Sequence, residues 1–379
     1  MKKGNSKYFF LYLKTGGGHL APARSLSKHI EKYYPGSVEP VLIDGFEKTP
    51  RIIRYLIEDG YRKLQSGAKW YYEFLYAINK VPVLASITAG IITFFCRKYI
   101  EEIILKEKPE KIIILHFFLI QPVYRALRKY NLKTKVFTIV TDPYTAHPLW
   151  FLEKEQNFIV FSERLKKYVN EKMPDSRVNV FPFILDEKFS TQLPQENIGM
   201  LKKKLGFPAD KKIVLVLGGG DGIPHGKKIL EEILKSKPDA VIAVVAGRNK
   251  QLFRAASKLK NDYGNCDLIV YGFVDFIYEL LNISDVVVTK CGASTMMEIL
   301  MIKKVPVVND YIWEQEKGNI EFLMDNKFGI YEPVIKNLPA VIKKLINEEA
   351  YYNSFRDNII NANLKNGTAE VSAFLLNEQ

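Results

Sequence analysis

Residues 286–319 read VVVTKCGASTMMEILMIKKVPVVNDYIWEQEKGN, and the rest of the chain is organised around them. Val286, Val287 and Val288 form the β-branched apolar run that fills a buried parallel strand, and Gly292 stands where a helix should begin. Ser294 and Thr295 fall at the expected N-cap. Their hydroxyls and the first-turn backbone N–H groups would then point to the strand's carboxyl end, a setting that favours an anion. Glu298 lies a turn further along the same face, where a carboxylate can accept from the vicinal hydroxyls of a ribose. A second strand over 305–308 leads into a loop that brings Glu314, Gln315 and Asn319 to the same sheet edge. Strand, glycine and Ser/Thr-capped helix also recur in α/β proteins for structural reasons alone, and an early acid also serves the helix dipole. The functional reading therefore rests on the company this stretch keeps.

At 379 residues the chain suits two domains, and its 47% hydrophobic and 26% charged residues are globular values. The net charge of +13 is unevenly placed: through residue 185 there are 30 Lys+Arg against 17 Asp+Glu, and afterwards 25 against 25. A basic first half points to a polyanionic surface, a bilayer or a nucleic acid. Three cysteines, Cys96, Cys266 and Cys291, have neither disulfide-framework nor zinc spacing. No Asp-x-Asp and no His/Cys cluster suggests a metal, so none is expected. The run at 8–13 reads as a first strand rather than a signal peptide, and no spanning helix is expected.

That first strand leads into Thr15-Gly16-Gly17-Gly18-His19 and a helix. Three glycines at a strand-to-helix turn let backbone approach a ligand, and His19 is the best general-base candidate because its ordinary pKa lies near neutrality. A histidine that merely caps the turn, or glycines that merely ease packing, would give the same pattern. After a second strand at 38–43, an insertion over 48–98 interleaves Arg51, Arg54, Arg62, Lys63, Lys69 and Lys80 with Tyr55, Trp70, Tyr71, Tyr72 and Phe74. Next to them, 81–96 is apolar, small-residue-rich, and too short and Pro/Gly-interrupted to span a bilayer. Together they describe an interfacial membrane insertion; a buried helix pair is the structural alternative, and a nucleic-acid groove has no use for the apolar segment. Strands at 111–115 and 135–140 follow, the latter running into a polar loop with Asp142 and His147 as candidates for orienting the acceptor or acting as base. Strands at 158–161 and 178–181 complete a first domain, 1–185.

Residues 186–210 read as a hinge, and 211–379 as the second domain. Its first strand, 212–217, ends in Gly218, Gly219, Gly220, Asp221 and Gly222, a cluster able to wrap a diphosphate with backbone N–H groups but matching neither GxGxxG nor a Walker loop. Strands at 241–245 and 268–271 follow, ending near Arg248 and Phe273. Phe273 could offer backbone groups to a nucleobase or pack in the core. The implied architecture is α/β, with two Rossmann-like domains facing across a cleft, and the implied chemistry is group transfer from a nucleotide-activated donor.

TGGGH at 15–19, VTDPYTAHPLWF at 140–151, LVLGGGDG at 215–222, VVAGRNKQL at 244–252, YGFVDFIYELLNISDVVVTKCGASTMMEIL at 271–300 and EQEKGN at 314–319 together resemble the monogalactosyldiacylglycerol synthase and processive diacylglycerol glucosyltransferase family. The lipid-linked N-acetylglucosaminyltransferase of peptidoglycan synthesis is a more distant likeness. The resemblance runs in order along nearly the whole chain. It implies a GT-B glycosyltransferase with a UDP-sugar co-substrate, no cofactor, a lipid acceptor, and peripheral attachment to an anionic membrane at its cytoplasmic face, with no nucleic-acid partner. His19 would be the base, Gly218 to Gly222 with Gly292, Ser294 and Thr295 the diphosphate cradle, Glu298 the ribose ligand, Phe273 the uracil contact, and Gln315 with Glu314 or Glu316 the sugar contacts. Cys291-Gly292-Ala293 departs from the family's Pro-Gly-Gly and should re-aim the phosphate turn. A polyprenyl-linked acceptor and a binding module without turnover are the alternatives.

Overall fold

Strands of Val, Ile, Leu and Phe buried on both faces demand helices on both sides of a parallel sheet, and the chain builds two such sheets. The computed structural model describes residues 6–60, 69–264 and 267–378, with 59, 69–72 and 75 described in backbone only. Arg62 and Lys63 thus lie outside the described residues, and Lys69, Trp70, Tyr71 and Tyr72 are placed only as backbone of the helix Lys69–Ile78.

The first sheet comprises β1 (Ser6–Tyr12), β2 (Val38–Asp44), β3 (Lys111–Ile114), β4 (Lys135–Ile139), β5 (Asn157–Val160) and β6 (Arg177–Val180), all parallel in the order β2-β1-β3-β4-β5-β6. The second comprises β7 (Lys212–Leu217), β8 (Ala240–Val245), β9 (Leu268–Tyr271), β10 (Val286–Lys290), β11 (Pro306–Asp310) and β12 (Ile330–Tyr331), also parallel, in the order β12-β11-β10-β7-β8-β9. Strand order reverses between β1 and β3 in the first sheet and between β7 and β10 in the second. These are the topological switch points, where flanking loops part and leave a crevice at the strands' carboxyl ends.

The chain's contacts divide it into two compact units: Met1–Glu187 with Trp313–Gln315 and Asn366–Gln379, and Lys188–Ile312 with Glu316–Lys365. Two features differ from the sequence expectation. The 186–210 segment is no free hinge: it carries the helix Gln195–Lys204, and the Leu193 N–H donates to Asn282 Oδ1 at 2.9 Å while the Tyr278 hydroxyl donates to the Thr191 carbonyl at 2.7 Å. The C-terminal helix Thr368–Asn377 returns to the first unit, because Lys111 of β3, almost wholly buried, donates from Nζ to the carbonyls of Leu375 at 2.7 Å and Glu378 at 2.6 Å. A buried cation on the carbonyl end of a helix satisfies both the orphan acceptors and the charge.

The expected short interfacial segment is a continuous helix, Pro82–Glu107, of 26 residues, long and apolar enough to cross a membrane. Pro82 opens it at the first helical position, where its missing N–H costs nothing, and Gly90 is carried inside. One face, including Ala85, Ala89, Ile92, Cys96, Ile100 and Ile104, is buried in the first unit. The other exposes Val83, Ile87, Ile91 and Phe94, at 53–67% of their free surface.

Candidate active site

Each unit gathers its functional side chains at its own switch point. In the first, the loop after β1 carries Gly16 at φ +93°, and a Cβ built on Gly16, Gly17 or Gly18 meets nothing within 4 Å. Packing does not require these glycines; open space lies beside them. His19 precedes the helix Leu20–Tyr33 but makes no side-chain cap bond, which removes the capping explanation. Its ring turns across the switch point instead. Nδ1 lies 2.6 Å from the Leu115 carbonyl oxygen, just beyond β3, and 3.1 Å from Thr141 Oγ1, just beyond β4. A carbonyl only accepts, so His19 carries its proton on Nδ1 and presents the lone pair of Nε2. Burial lowers its pKa to about 4, so the ring is neutral through the physiological range.

The other two histidines of the cluster have the opposite tautomer. His116 Nδ1 accepts from the Phe118 N–H, and His147 Nδ1 accepts from the Leu149 N–H, each at 3.2 Å. Both therefore carry the proton on Nε2 and have no basic nitrogen to offer. Burial holds His116 well below the ordinary histidine range and His147 down at about 3. His147 is thus a cap for the turn Pro148–Phe151, stacked on Phe117 at 4.9 Å and edge-on to Tyr76 at 4.5 Å, rather than a second base. Asp142 is half-buried just beyond β4; burial first, then the charges of Asp142 and Glu314, raise the pKa of the Tyr76 hydroxyl. His116 lies 4.4 Å from His19, ring to ring. His116 is not among the residues singled out from the sequence, although its position at a strand's carboxyl end carries the same signal as that of Asp142.

Glu314 and Gln315, expected among the donor contacts of the second domain, group with the first unit, where Glu314 pairs with Lys80 and the Gln315 carbonyl accepts from the Thr145 hydroxyl. Arg54, expected to meet a membrane, instead pairs with Asp44 at 3.0 Å and Glu58 at 3.2 Å, and Lys14 shares Asp44. Arg51 is exposed.

In the second unit, the loop after β7 folds on itself. A Cβ on Gly218 would stand 2.3 Å from the Gly222 carbonyl, so only glycine fits there, while Gly219 and Gly220 face Thr295 Oγ1 and the Arg248 guanidinium. Arg248 donates its backbone N–H to the Gly220 carbonyl at 2.8 Å and lays its guanidinium 5.0 Å over the Phe273 ring. Phe273 is 61% exposed, which excludes core packing and leaves an aromatic face flanked by a cation. Across the switch point, the helix Ala293–Met301 begins after β10. Gly292, not Ser294 or Thr295, is its N-cap. Ser294 and Thr295 occupy the second and third helical positions, so their backbone N–H groups belong to the first turn, which has no intrahelical acceptors. Glu298 follows one turn on, half-buried.

Asn319 is fully buried and donates from Nδ2 to the Cys291 carbonyl at 3.1 Å, so it builds the turn from beneath rather than reaching outward. Glu316, weighed as an alternative sugar contact, is buried too: Oε1 meets Lys290 Nζ at 2.9 Å and Oε2 accepts from the Ile312 N–H at 2.8 Å. Lys290 escaped sequence reading; the β10–β11 register slips between Thr289 and Lys290, a bulge of the kind that re-aims a side chain.

One switch point thus holds a neutral histidine beside an open glycine turn, and the other a tight glycine loop beside a helix N-terminus. Residues 19–186 match the monogalactosyldiacylglycerol synthase family. Over 364 residues the chain is 26% identical to the monogalactosyldiacylglycerol synthase of Spinacia oleracea, covering 91% of this chain and 67% of that one. It is 25% identical to the processive diacylglycerol beta-glucosyltransferase of Bacillus pumilus, covering 97% and 94%. The structure of Anabaena HepE in complex with UDP-glucose superposes with a TM-score of 0.58 at 11% identity, covering 99% of this chain and 100% of that one, and shares the two-domain Rossmann-like fold.

Proposed function

We propose that this protein is a hexosyltransferase that moves a sugar from a UDP-sugar to the free hydroxyl of a diacylglycerol-type lipid, working peripherally at the cytoplasmic face of a membrane. The observation that carries the reading is the tautomer of His19: its Nδ1 proton is held by Leu115, so Nε2 is the one unprotonated imidazole nitrogen in a three-histidine cluster beside an open glycine turn. In a single displacement, the lipid hydroxyl oxygen attacks the anomeric carbon. Its proton passes to His19 Nε2, and the bond from that carbon to the β-phosphate oxygen breaks with the electron pair leaving on UDP. First-turn N–H groups of the helix Ala293–Met301 and the loop 218–222 would stabilise that charge, with Glu298 on the ribose and the Phe273–Arg248 pair beside the base. Attack from the face opposite the leaving group inverts the anomeric centre.

The membrane reading draws on the Pro82–Glu107 helix. Its first half carries no charged residue; one face is packed on the domain and the other shows Val83, Ile87, Ile91 and Phe94 to solvent, with Arg97 and Lys98 next in line. Packing of the inner face favours a helix lying in the interface over one that spans. A polyprenyl-linked acceptor is the second reading, since it would use the same base and donor cradle.

The test is UDP release by purified protein offered UDP-glucose, UDP-galactose or UDP-N-acetylglucosamine, with and without diacylglycerol in anionic vesicles, followed by lipid extraction. A vesicle-dependent glycolipid from one donor supports the proposal and names the sugar. UDP binding without diacylglycerol-dependent turnover overturns it in favour of the second acceptor class.

A further inference from the structure

We infer that His116 is the positioning residue for the base, setting the tautomer and place of His19 through the turn that follows β3. The inference rests on His19 acting as the base.

Three contacts converge on four consecutive residues. Leu115 supplies the carbonyl that takes the His19 Nδ1 proton at 2.6 Å. His116 lays its ring 4.4 Å from the His19 ring, tilted by 54°, closing one side of it. The His116 Nδ1 then accepts from the N–H of Phe118 at 3.2 Å, two residues on, so the side chain ties down the turn whose carbonyl grips the base. Phe117 and Phe118 pack behind, against Leu149 and the small side chains of Ala85 and Ala89. Leu115 and His116 are themselves at 0% and 2% exposure, so the turn has little room to move.

The hydrogen bond from Phe118 requires a lone pair on His116 Nδ1. A doubly protonated His116 would set N–H against N–H and release the turn. His116 is therefore neutral with its proton on Nε2, and burial acts in the same direction. When His19 takes the acceptor's proton, the new imidazolium forms beside a neutral ring instead of a second cation. With the turn released, the Leu115 carbonyl swings away, the Nδ1 proton of His19 loses its acceptor, and the lone pair is no longer confined to Nε2. Misplacing a reacting group by about 1 Å is enough to cost on the order of 100-fold in rate.

Asparagine separates this role from packing. Its Oδ1 can accept from the N–H two residues on, as the Nδ1 of His116 does, but it has no ring. Phenylalanine keeps a ring and loses the acceptor.

The experiment compares wild type, His116→Ala, His116→Asn, His116→Phe and His19→Ala by lipid-dependent UDP release, UDP affinity and long-range nitrogen–proton NMR of the imidazoles. We expect kcat to fall about 100-fold in His116→Ala and His116→Phe, with KM and Kd for the UDP-sugar within about two-fold, and His116→Asn to recover most of the loss. In wild type, His19 should show the Nδ1-protonated tautomer and His116 the Nε2-protonated one, and the His19 signal should become mixed in His116→Ala. The wild-type spectrum needs no variant to fold; the reverse tautomers there overturn the inference. So does wild-type kcat in His116→Ala, or no recovery in His116→Asn, when His19→Ala is inactive. Full activity in His19→Ala instead removes the base assignment itself, on which this inference depends.

Discussion

His19 Nδ1 and the Leu115 carbonyl oxygen, 96 positions apart in the chain, meet at 2.6 Å across the point where strand order reverses. Burial keeps the His19 ring neutral, and the contact holds its proton on Nδ1, leaving one defined lone pair on Nε2. Replacement of His19 by alanine should lower kcat by about 10²- to 10⁴-fold while UDP affinity stays within about two-fold, read by UDP release and calorimetry. Wild-type turnover in that variant would exclude the histidine from the chemistry.

The depressed pKa of His19 carries a stability signature. Burial holds His19 at about 4 and His147 at about 3, against 6.5 when unfolded. Below pH 6.5 the unfolded chain binds more protons than the folded one, so stability is complete above that pH and is lost as pH falls toward 4 and 3. Urea unfolding at stepped pH should show a midpoint that drops steadily from pH 6.5 downward, and in His147→Phe the slope should be shallower. A midpoint independent of pH across that window would contradict the buried neutral rings.

The two glycine turns should respond differently to a methyl group. Gly218→Ala puts a Cβ 2.3 Å from the Gly222 carbonyl and should both destabilise the second unit and abolish UDP binding, whereas Gly17→Ala meets nothing within 4 Å and should leave the melting temperature unchanged. Thermal melts and calorimetry on the pair decide it. A stable, UDP-binding Gly218→Ala would mean that the loop is not held as described.

Glu298→Ala should weaken UDP binding about 10-fold with little change in stability, since a half-buried carboxylate that accepts from a ribose would be lost. Unaltered UDP affinity would end the ribose assignment.

On the first unit, Ile87→Asp with Ile91→Asp places two charges on the exposed stripe of the Pro82–Glu107 helix, at residues 53% and 54% exposed. Each buried side chain of this size is worth about 1.5–3 kcal/mol, so vesicle cosedimentation should fall at least about 100-fold while soluble UDP binding persists. Undiminished vesicle binding would move the membrane contact elsewhere.

Much of this was legible in the order of residues. β-Branched runs at 212–217, 240–245 and 286–288 announced buried parallel strands because only a doubly covered sheet accepts apolar side chains on both faces, and a glycine cluster after such a strand announces a close backbone turn. His19 stood out as a base because few other side chains titrate near neutrality. The pattern reading failed where a residue's role depends on the hydrogen bond its side chain makes, whether the partner lies 28 residues away or two. Asn319 reads as a polar ligand until its amide is found under Cys291, and His147 reads as a base until the Leu149 N–H claims its lone pair. The helix Gln195–Lys204 went unread because its apolar positions are sparse.

Periodicity, propensity and turn chemistry are local, acting over a few residues; by themselves they determined the strands, the glycine turns and the fold class, and singled out His19 as the candidate base. Only the tertiary structure decided which turns share a switch point, which nitrogen of each histidine carries its proton, and that the last helix comes home to Lys111 of the first sheet. Those outcomes depend on hydrogen bonds set by distance and direction in space, some joining residues far apart in the chain and others, as at His116, fixed by how one turn folds, and a residue pattern does not encode that geometry.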